Sequence, residues 1–263
     1  MTRKFQSIRN SFKNNSAAAA LIVLLLLVWQ SVSVAGWIPK FMLPSPLDVC
    51  AAFYTDFGQL MTHTGTTLGE AFIGLGAAVA LAFVIAYLMD RFAFLYKSVY
   101  PLLVISQTIP PVAVAPLLVL WMGYGMPPKI TLVVVVCFFP LAVGLLDGYR
   151  SADRDTLNLM RAMGASRLQI FRYLKLPSSL GRFFAGLRIS VSYSIVGAVI
   201  AEWLGGYNGL GVYMTRVKKA YAFDKMFAVI FLVSLLSLAL MRLVSLVEKW
   251  SMPYRRTKYN EES

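Results

Sequence analysis

Residues Arg161–Pro177 read RAMGASRLQIFRYLKLP. A glycine separates two short runs whose apolar residues recur at helical spacing, and a proline closes the stretch. Upstream, Leu157, Met160 and Met163 recur every third residue, and Asp153 and Asp155 stand where acidic residues favour a helix N-terminus. Ala165 and Ser166 follow Gly164 as small turn residues. Leu168, Phe171 and Leu174 then mark one face of a second helix, and Arg161, Arg167, Arg172 and Lys175 decorate the rest. Pro177 is expected to end that helix, because it has no N–H to donate and restricts the residue before it. The pattern is helix, glycine turn, helix, stop. By pattern alone it fits an amphipathic pair lying on lipid headgroups or a docking element with apolar knobs and an arginine rim.

The surrounding chain is mostly apolar. Of 263 residues, 58% are hydrophobic and 14% charged, against about 25% charged in a soluble domain. The class is all-α integral membrane, and one transmembrane domain accounts for the length. Six spans are predicted: Ala17–Gly36, Thr66–Met89, Ser98–Met122, Ile130–Leu146, a weak fifth, and Met226–Val247. In the fifth only Ile189–Ala201 is uncharged, and the span must include Glu202 to be long enough. The first run also fits a signal sequence cleaved after SVA (Ser33–Ala35), but its length and the spans that follow favour retention. The domain therefore covers 17–248, between tails at 1–16 and 249–263.

Basic residues orient it. With both termini inside, 19 of the 25 Lys and Arg lie in the inner segments and six in the outer ones. Positive charge collects on the cytoplasmic side, so the N-terminus and C-terminus are predicted in. The same rule accounts for the net charge of +13 without nucleic acid, for which no basic soluble module exists. His63 is the single histidine, and Cys50 and Cys137 form no CxxC pair. A thiolate–imidazole metal site is thereby excluded. No Walker loop is present, so the energy for any work comes from another chain or a gradient.

Gly164, nine further residues and then LKLP (Leu174–Pro177) resemble the EAA loop of ABC importer permeases, whose pattern is Glu-Ala-Ala, three residues, Gly, nine residues, Ile-x-Leu-Pro. Asn158-Leu159-Met160 stands where Glu-Ala-Ala is expected, and Leu174 replaces Ile. MLPSPLDV (Met42–Val49) resembles the entry motif of the nitrate/sulfonate/taurine/pyrimidine branch. PPVAVAPLLVLWMGYGMPPKI (Pro110–Ile130) and AEWLGGYNGLGVYM (Ala201–Met214) resemble its third-span and fifth-span exits. The resemblance implies a type I ABC importer transmembrane domain in a bacterial inner membrane. It implies a homodimer, two ATPase subunits and an extracytoplasmic solute-binding protein. ATP and Mg belong to the ATPase, and no cofactor to this chain. The basic loop, about 150–187, becomes the coupling element, with Asn158, Leu159, Met160, Arg161, Ala162, Met163, Gly164, Ala165, Leu168, Phe171, Leu174, Leu176 and Pro177 as its contact residues.

Polar groups within spans are the candidates for the path. Gln107 and Thr108 precede Pro110-Pro111, which is expected to kink or break span three; Gln107 fits a pathway group or an interhelical hydrogen bond equally. Ser190 and Ser194 share a helical face and fit the pathway or back-bonding to their own helix. Glu202 fits a gate, a binding-protein contact or an interfacial carboxylate bonded to backbone or to Arg216. Glu70 is similar. Arg216, Lys218 and Lys219 break the charge rule and fit a solvated loop or a contact for an acidic binding-protein face. Trp37, Trp121, Trp203 and Trp250 are interface anchors, and Gly74 and Gly76 allow close helix packing.

Two other classes compete. An intramembrane enzyme needs a nucleophile–base pair or paired carboxylates, and none is evident. A gradient-driven carrier needs a charged relay within the spans and has no use for the docking loop. The Lys219–Phe231 segment, KAYAFDKMFAVIF, resembles importers of a hydroxymethylpyrimidine-like thiamine precursor, with alkanesulfonate, taurine or riboflavin-like vitamins as alternatives.

Overall fold

The computed structural model describes residues 19–39 and 41–252, and every described element is helical or a connecting turn. The tail at 1–16, Lys40 and residues 253–263 lie outside the described residues. The helices are α1 (Ala19–Val34), α2 (Pro46–Thr55), α3 (Phe57–Arg91), α4 (Ala93–Ser106), α5 (Pro111–Met122) and α6 (Met126–Arg150). After them come α7 (Arg154–Ala162), α8 (Arg167–Ile170), a π turn (Phe171–Lys175), α9 (Leu176–Gly205), α10 (Leu210–Lys219) and α11 (Phe223–Ser251). Four stretches are long and apolar enough to cross a membrane: α3, α6, α8 through α9, and α11. The pair α4–α5 makes a fifth if counted as one, and α1 is a shorter apolar helix.

The chain forms two compact units. The first comprises Met1–Leu60 and Met214–Phe231. Within it, MLPSPLDV has a local physical logic. Ser45 caps α2, Pro46 opens it, and Asp48 closes a capping box, its carboxylate accepting from the Ser45 N–H at 3.0 Å. The Trp29 indole donates to the Pro44 carbonyl at 3.0 Å, and its ring lies 5.8 Å from Phe227. Lys225 pairs with Asp56 at 2.8 Å.

The second unit comprises Met61–Tyr213 and Leu232–Ser263. Its core is the seam between α6 and α9, with Leu141, Ala142, Leu145, Ile195 and Ala198 fully buried. Small residues let the two backbones touch. A Cβ on Gly186 would lie 2.5 Å from the Pro140 carbonyl oxygen, and one on Gly144 2.8 Å from that of Arg182. Ser190 and Cys137 exchange bonds across the seam: the Ser190 hydroxyl donates to the Cys137 carbonyl at 2.9 Å, and the Cys137 thiol to the Ser190 carbonyl at 3.1 Å. A stripe of Ala71, Ala78, Ala82 and Ala86 buries one face of α3. Gly74 meets Val133 there, whereas Gly76 faces open space. Gly186→Val is expected to lower the thermal midpoint in detergent through overpacking of about 1–3 kcal/mol. An unchanged midpoint would show that this seam is not tight.

One departure from the sequence expectation matters, and the expected break in span three is realised. Pro177 does not end a helix. The Leu176 N–H donates five residues back to the Phe171 carbonyl, and the widened turn seats the proline in the first turn of α9. Arg167–Gly205 therefore runs as one 39-residue helical stretch, and the weak fifth span gains length from the loop. Span three breaks outright at its prolines: α4 and α5 meet at 104°.

Candidate functional site

The 154–177 loop is specified by its caps. Asp153 opens α7, its carboxylate accepting from the Thr156 hydroxyl at 2.6 Å and N–H at 2.9 Å. These bonds hold the carboxyl below its usual range. At the other end the Ala165 N–H donates to the Met160 carbonyl at 2.9 Å and the Gly164 N–H to that of Arg161 at 3.0 Å. Gly164 takes a φ of +78°, the left-handed conformation this closure requires. Ser166 and Gln169 form a capping box that starts α8 at once.

The loop has an inner and an outer face. Phe171 turns inward, 4.7 Å from Tyr87 and 5.2 Å from Tyr149 between ring centroids. Lys175 holds both oxygens of Asp90 at 2.7 Å, tying the loop to the end of α3. Leu157, Met160, Leu174 and Leu176 are half-buried, and Asn158, Arg161, Ala162 and Pro177 are exposed. The outward knobs are Leu159 at 61% exposed, Met163 at 77% and Leu168 at 66%. Large apolar groups so exposed, on an element so firmly capped, leave an uncovered apolar patch on this face.

The α4–α5 break opens a second feature, a cavity of about 420 Å³ lined by Gln107, Ile109, Val136, Tyr193 and Val196 among others. Tyr193, Val196, Gly197 and Ile200 are one face of α9. Ser190 and Ser194 lie on an adjoining, buried face, where the Ser194 hydroxyl back-bonds to the Val191 carbonyl at 2.9 Å. Thr108, in the turn after α4, bonds back to the Ile105 carbonyl at that helix's end, and Pro110 stands at the N-cap of α5.

The third feature is a knot of buried charge. Lys129 pairs with Glu70 at 2.5 Å, both nearly inaccessible. Glu202 accepts from the Thr67 hydroxyl at 2.7 Å and from the Gly211 N–H at 2.6 Å. The Leu210 N–H donates to Thr67 Oγ1 at 2.9 Å, and the Gly209 N–H to His63 Nδ1 at 3.0 Å. A Cβ on Gly209, whose φ is +125°, would overlap the Glu202 carboxylate. The Ala201–Met214 segment thus folds back on its own carboxylate, which takes one backbone N–H from Gly211 and one hydroxyl from Thr67, while the neighbouring Gly209 and Leu210 N–H groups are satisfied by His63 and Thr67. Arg216, Lys218 and Lys219 are exposed on the last turn of α10, where cations complement the helix dipole.

Residues 72–251 match the family model described as binding-protein-dependent transport system inner membrane component. The chain belongs to this family. It is an ABC importer permease subunit, a multi-pass component of the inner membrane, and ATP is hydrolysed by a separate subunit. The permease is 37% identical over 217 residues to the formylaminopyrimidine transport permease protein ThiX of Halalkalibacterium halodurans, covering 82% of this chain and 87% of that one. It is 32% identical to the riboflavin transport system permease protein RibX of Chloroflexus aurantiacus, covering 84% and 83%. An inward-facing structure of the MetNI methionine ABC transporter shares its fold, with a TM-score of 0.59, 20% identity, and coverage of 73% of the permease and 97% of that chain.

Sequence reasoning singled out Glu70 and Glu202 in this permease, and a backbone partner for Glu202, which Gly211 supplies, but not the side chains they meet. Lys129 lies 59 residues from Glu70, and Thr67 lies 135 from Glu202. No local pattern links either pair. His63, which accepts from the Gly209 N–H, and Tyr193, which lines the cavity, are likewise placed by contacts that no local pattern encodes.

Proposed function

We propose that this permease moves a small pyrimidine of the thiamine-precursor kind. The single observation that carries the substrate is the 37% identity to a permease named for formylaminopyrimidine. Likeness to one named for riboflavin, at 32%, supports the same class, since both solutes are flat nitrogen heterocycles. The permease works as a homodimer with two ATPase subunits and an extracytoplasmic binding protein, and it spans the membrane six times with both termini inside. The 154–177 loop is the coupling element. Leu159, Met163 and Leu168 enter a cleft on the ATPase. Phe171 and the Lys175–Asp90 pair carry its movement into α9 and α3. Closure of the ATPases on ATP turns the path outward, and hydrolysis resets it.

Gln107 and Tyr193 line that path, and the tyrosine offers a flat ring an aromatic surface. Arg216, Lys218 and Lys219 face the binding protein. The experiment is uptake of labelled hydroxymethylpyrimidine by cells producing the permease with its ATPase and binding protein. Excess unlabelled formylaminopyrimidine is expected to compete and taurine to have no effect; taurine uptake without pyrimidine uptake would refute the substrate. Tyr193→Ala is expected to lower uptake roughly tenfold, within the range of about 1–3 kcal/mol for one base–aromatic stack, with ATPase binding unchanged. Uptake at the wild-type rate would remove Tyr193 from the path.

A further inference from the structure

Behind the coupling element lies a cavity of about 560 Å³. It is bounded by the end of α3, by α7 and by the start of the α8–α9 helix. Arg91, Arg161 and Arg167 line it from these three separate elements, and all three are exposed. The one carboxylate in the lining, Asp90, has both oxygens taken by Lys175 at 2.7 Å. None of the three arginines has an acidic partner among the described residues. The cavity therefore carries an uncompensated positive charge of about three on convergent, fork-shaped donors, the arrangement that suits phosphate oxygens. Its remaining wall is apolar, with Tyr87, Leu157 and Phe171 beside the arginines. The cavity opens where α3, a 35-residue apolar helix, ends at Arg91. With the termini inside, that end meets the cytoplasmic headgroup layer, so the placement rests on the orientation proposed above.

We propose that this cavity binds the phosphate headgroup of an anionic phospholipid and that the lipid braces the coupling element against α3. The arginines take the phosphate, and the apolar wall takes the glycerol and upper acyl carbons. Basic pockets at the cytoplasmic ends of transmembrane helices have the chemistry for anionic headgroups. A free phosphate shares the headgroup's charge but has no use for the apolar wall, so the two sources separate by experiment.

The test uses the full-length permease, purified in mild neutral detergent and titrated with dioctanoyl phosphatidylglycerol, dioctanoyl phosphatidylcholine and inorganic phosphate, with bound ligand counted by native mass spectrometry. Phosphatidylglycerol is expected to bind at least about tenfold more tightly than phosphatidylcholine. The Arg91→Gln/Arg167→Gln double variant is expected to lose on the order of thirtyfold in that affinity. Leu157→Trp fills the cavity and leaves every charge in place, and it is expected to abolish binding. That variant separates a cavity from diffuse attraction and remains informative if the double variant does not fold. Equal binding of the two lipids, or full binding by Leu157→Trp, would overturn the proposal. Inorganic phosphate displacing phosphatidylglycerol at equal concentration would overturn the lipid and assign the site to a soluble phosphate. Capture of the ATPase by the permease does not depend on this result, so importer function and the lipid site fail separately.

Discussion

Lys129→Met is expected to be among the most damaging single changes in the second unit. Methionine keeps the apolar stem and removes the charge, leaving the Glu70 carboxylate buried without the ammonium now 2.5 Å away. Breaking a buried pair by removing one partner costs about 3–5 kcal/mol, because the remaining charge is uncompensated. The expected result is a large fall in detergent-extractable folded permease and in its thermal midpoint. Glu70→Gln in the same chain removes the stranded charge, and the double variant is expected to recover much of the loss. A single variant as stable as wild type, or a double variant no better than the single, would show that the pair is not what holds α3 to α6 there. Glu202 is held differently. Its bonds come from Thr67 and from backbone, so Glu202→Gln keeps one acceptor and is expected to cost less than Lys129→Met.

Met163→Asp with Leu168→Asp is expected to abolish transport while leaving the fold intact. Both side chains point outward and are mostly exposed, and surface changes of this kind cost the isolated chain within about 0.5 kcal/mol. If the elbow docks as proposed, the same carboxylates would be buried unpaired against the ATPase, at a cost of several kcal/mol. Uptake should fall by at least about a hundredfold, and co-purification of the ATPase should fall with it. Gly164→Val acts through the backbone instead. A β-branched residue at φ +78° costs at least about 1–2 kcal/mol, and the elbow between α7 and α8 opens. Normal uptake in the aspartate variant would place the docking surface elsewhere on the permease.

The elbow itself was legible from the chain. A glycine after a helical run and small polar residues before the next are local signals, and the structure realises them as a left-handed closure and a capping box. The proline at its end departs from its local signal, because a π turn before it seats it in the first turn of α9, where it has no helical N–H to lose. The outward face was also only partly legible. Spacing by threes grouped Leu157 and Met160 with Met163, whereas packing turns the first two half inward and leaves Leu159 exposed. Phe171 fits the amphipathic stripe, but its ring is an internal anchor whose partners, Tyr87 and Tyr149, come from helices distant in sequence. In span three two adjacent prolines signalled a break. In span five serine periodicity pointed to one helical face, while the cavity lies on the face of Tyr193. Long-range pairing decided these cases, and a single sequence does not record it.

The central claim is that the 154–177 elbow is the permease's contact with its ATPase. The most direct measurement is cross-linking at Met163. In a background with Cys50→Ser and the buried Cys137 retained, Met163→Cys is oxidised in native membranes alongside single cysteines introduced into the ATPase surface. Rapid formation of a permease–ATPase disulfide from Cys at 163, changed by ATP and absent from a Tyr54→Cys control, is the predicted result. A cross-link from position 54 and none from 163, with the complex intact, would contradict it.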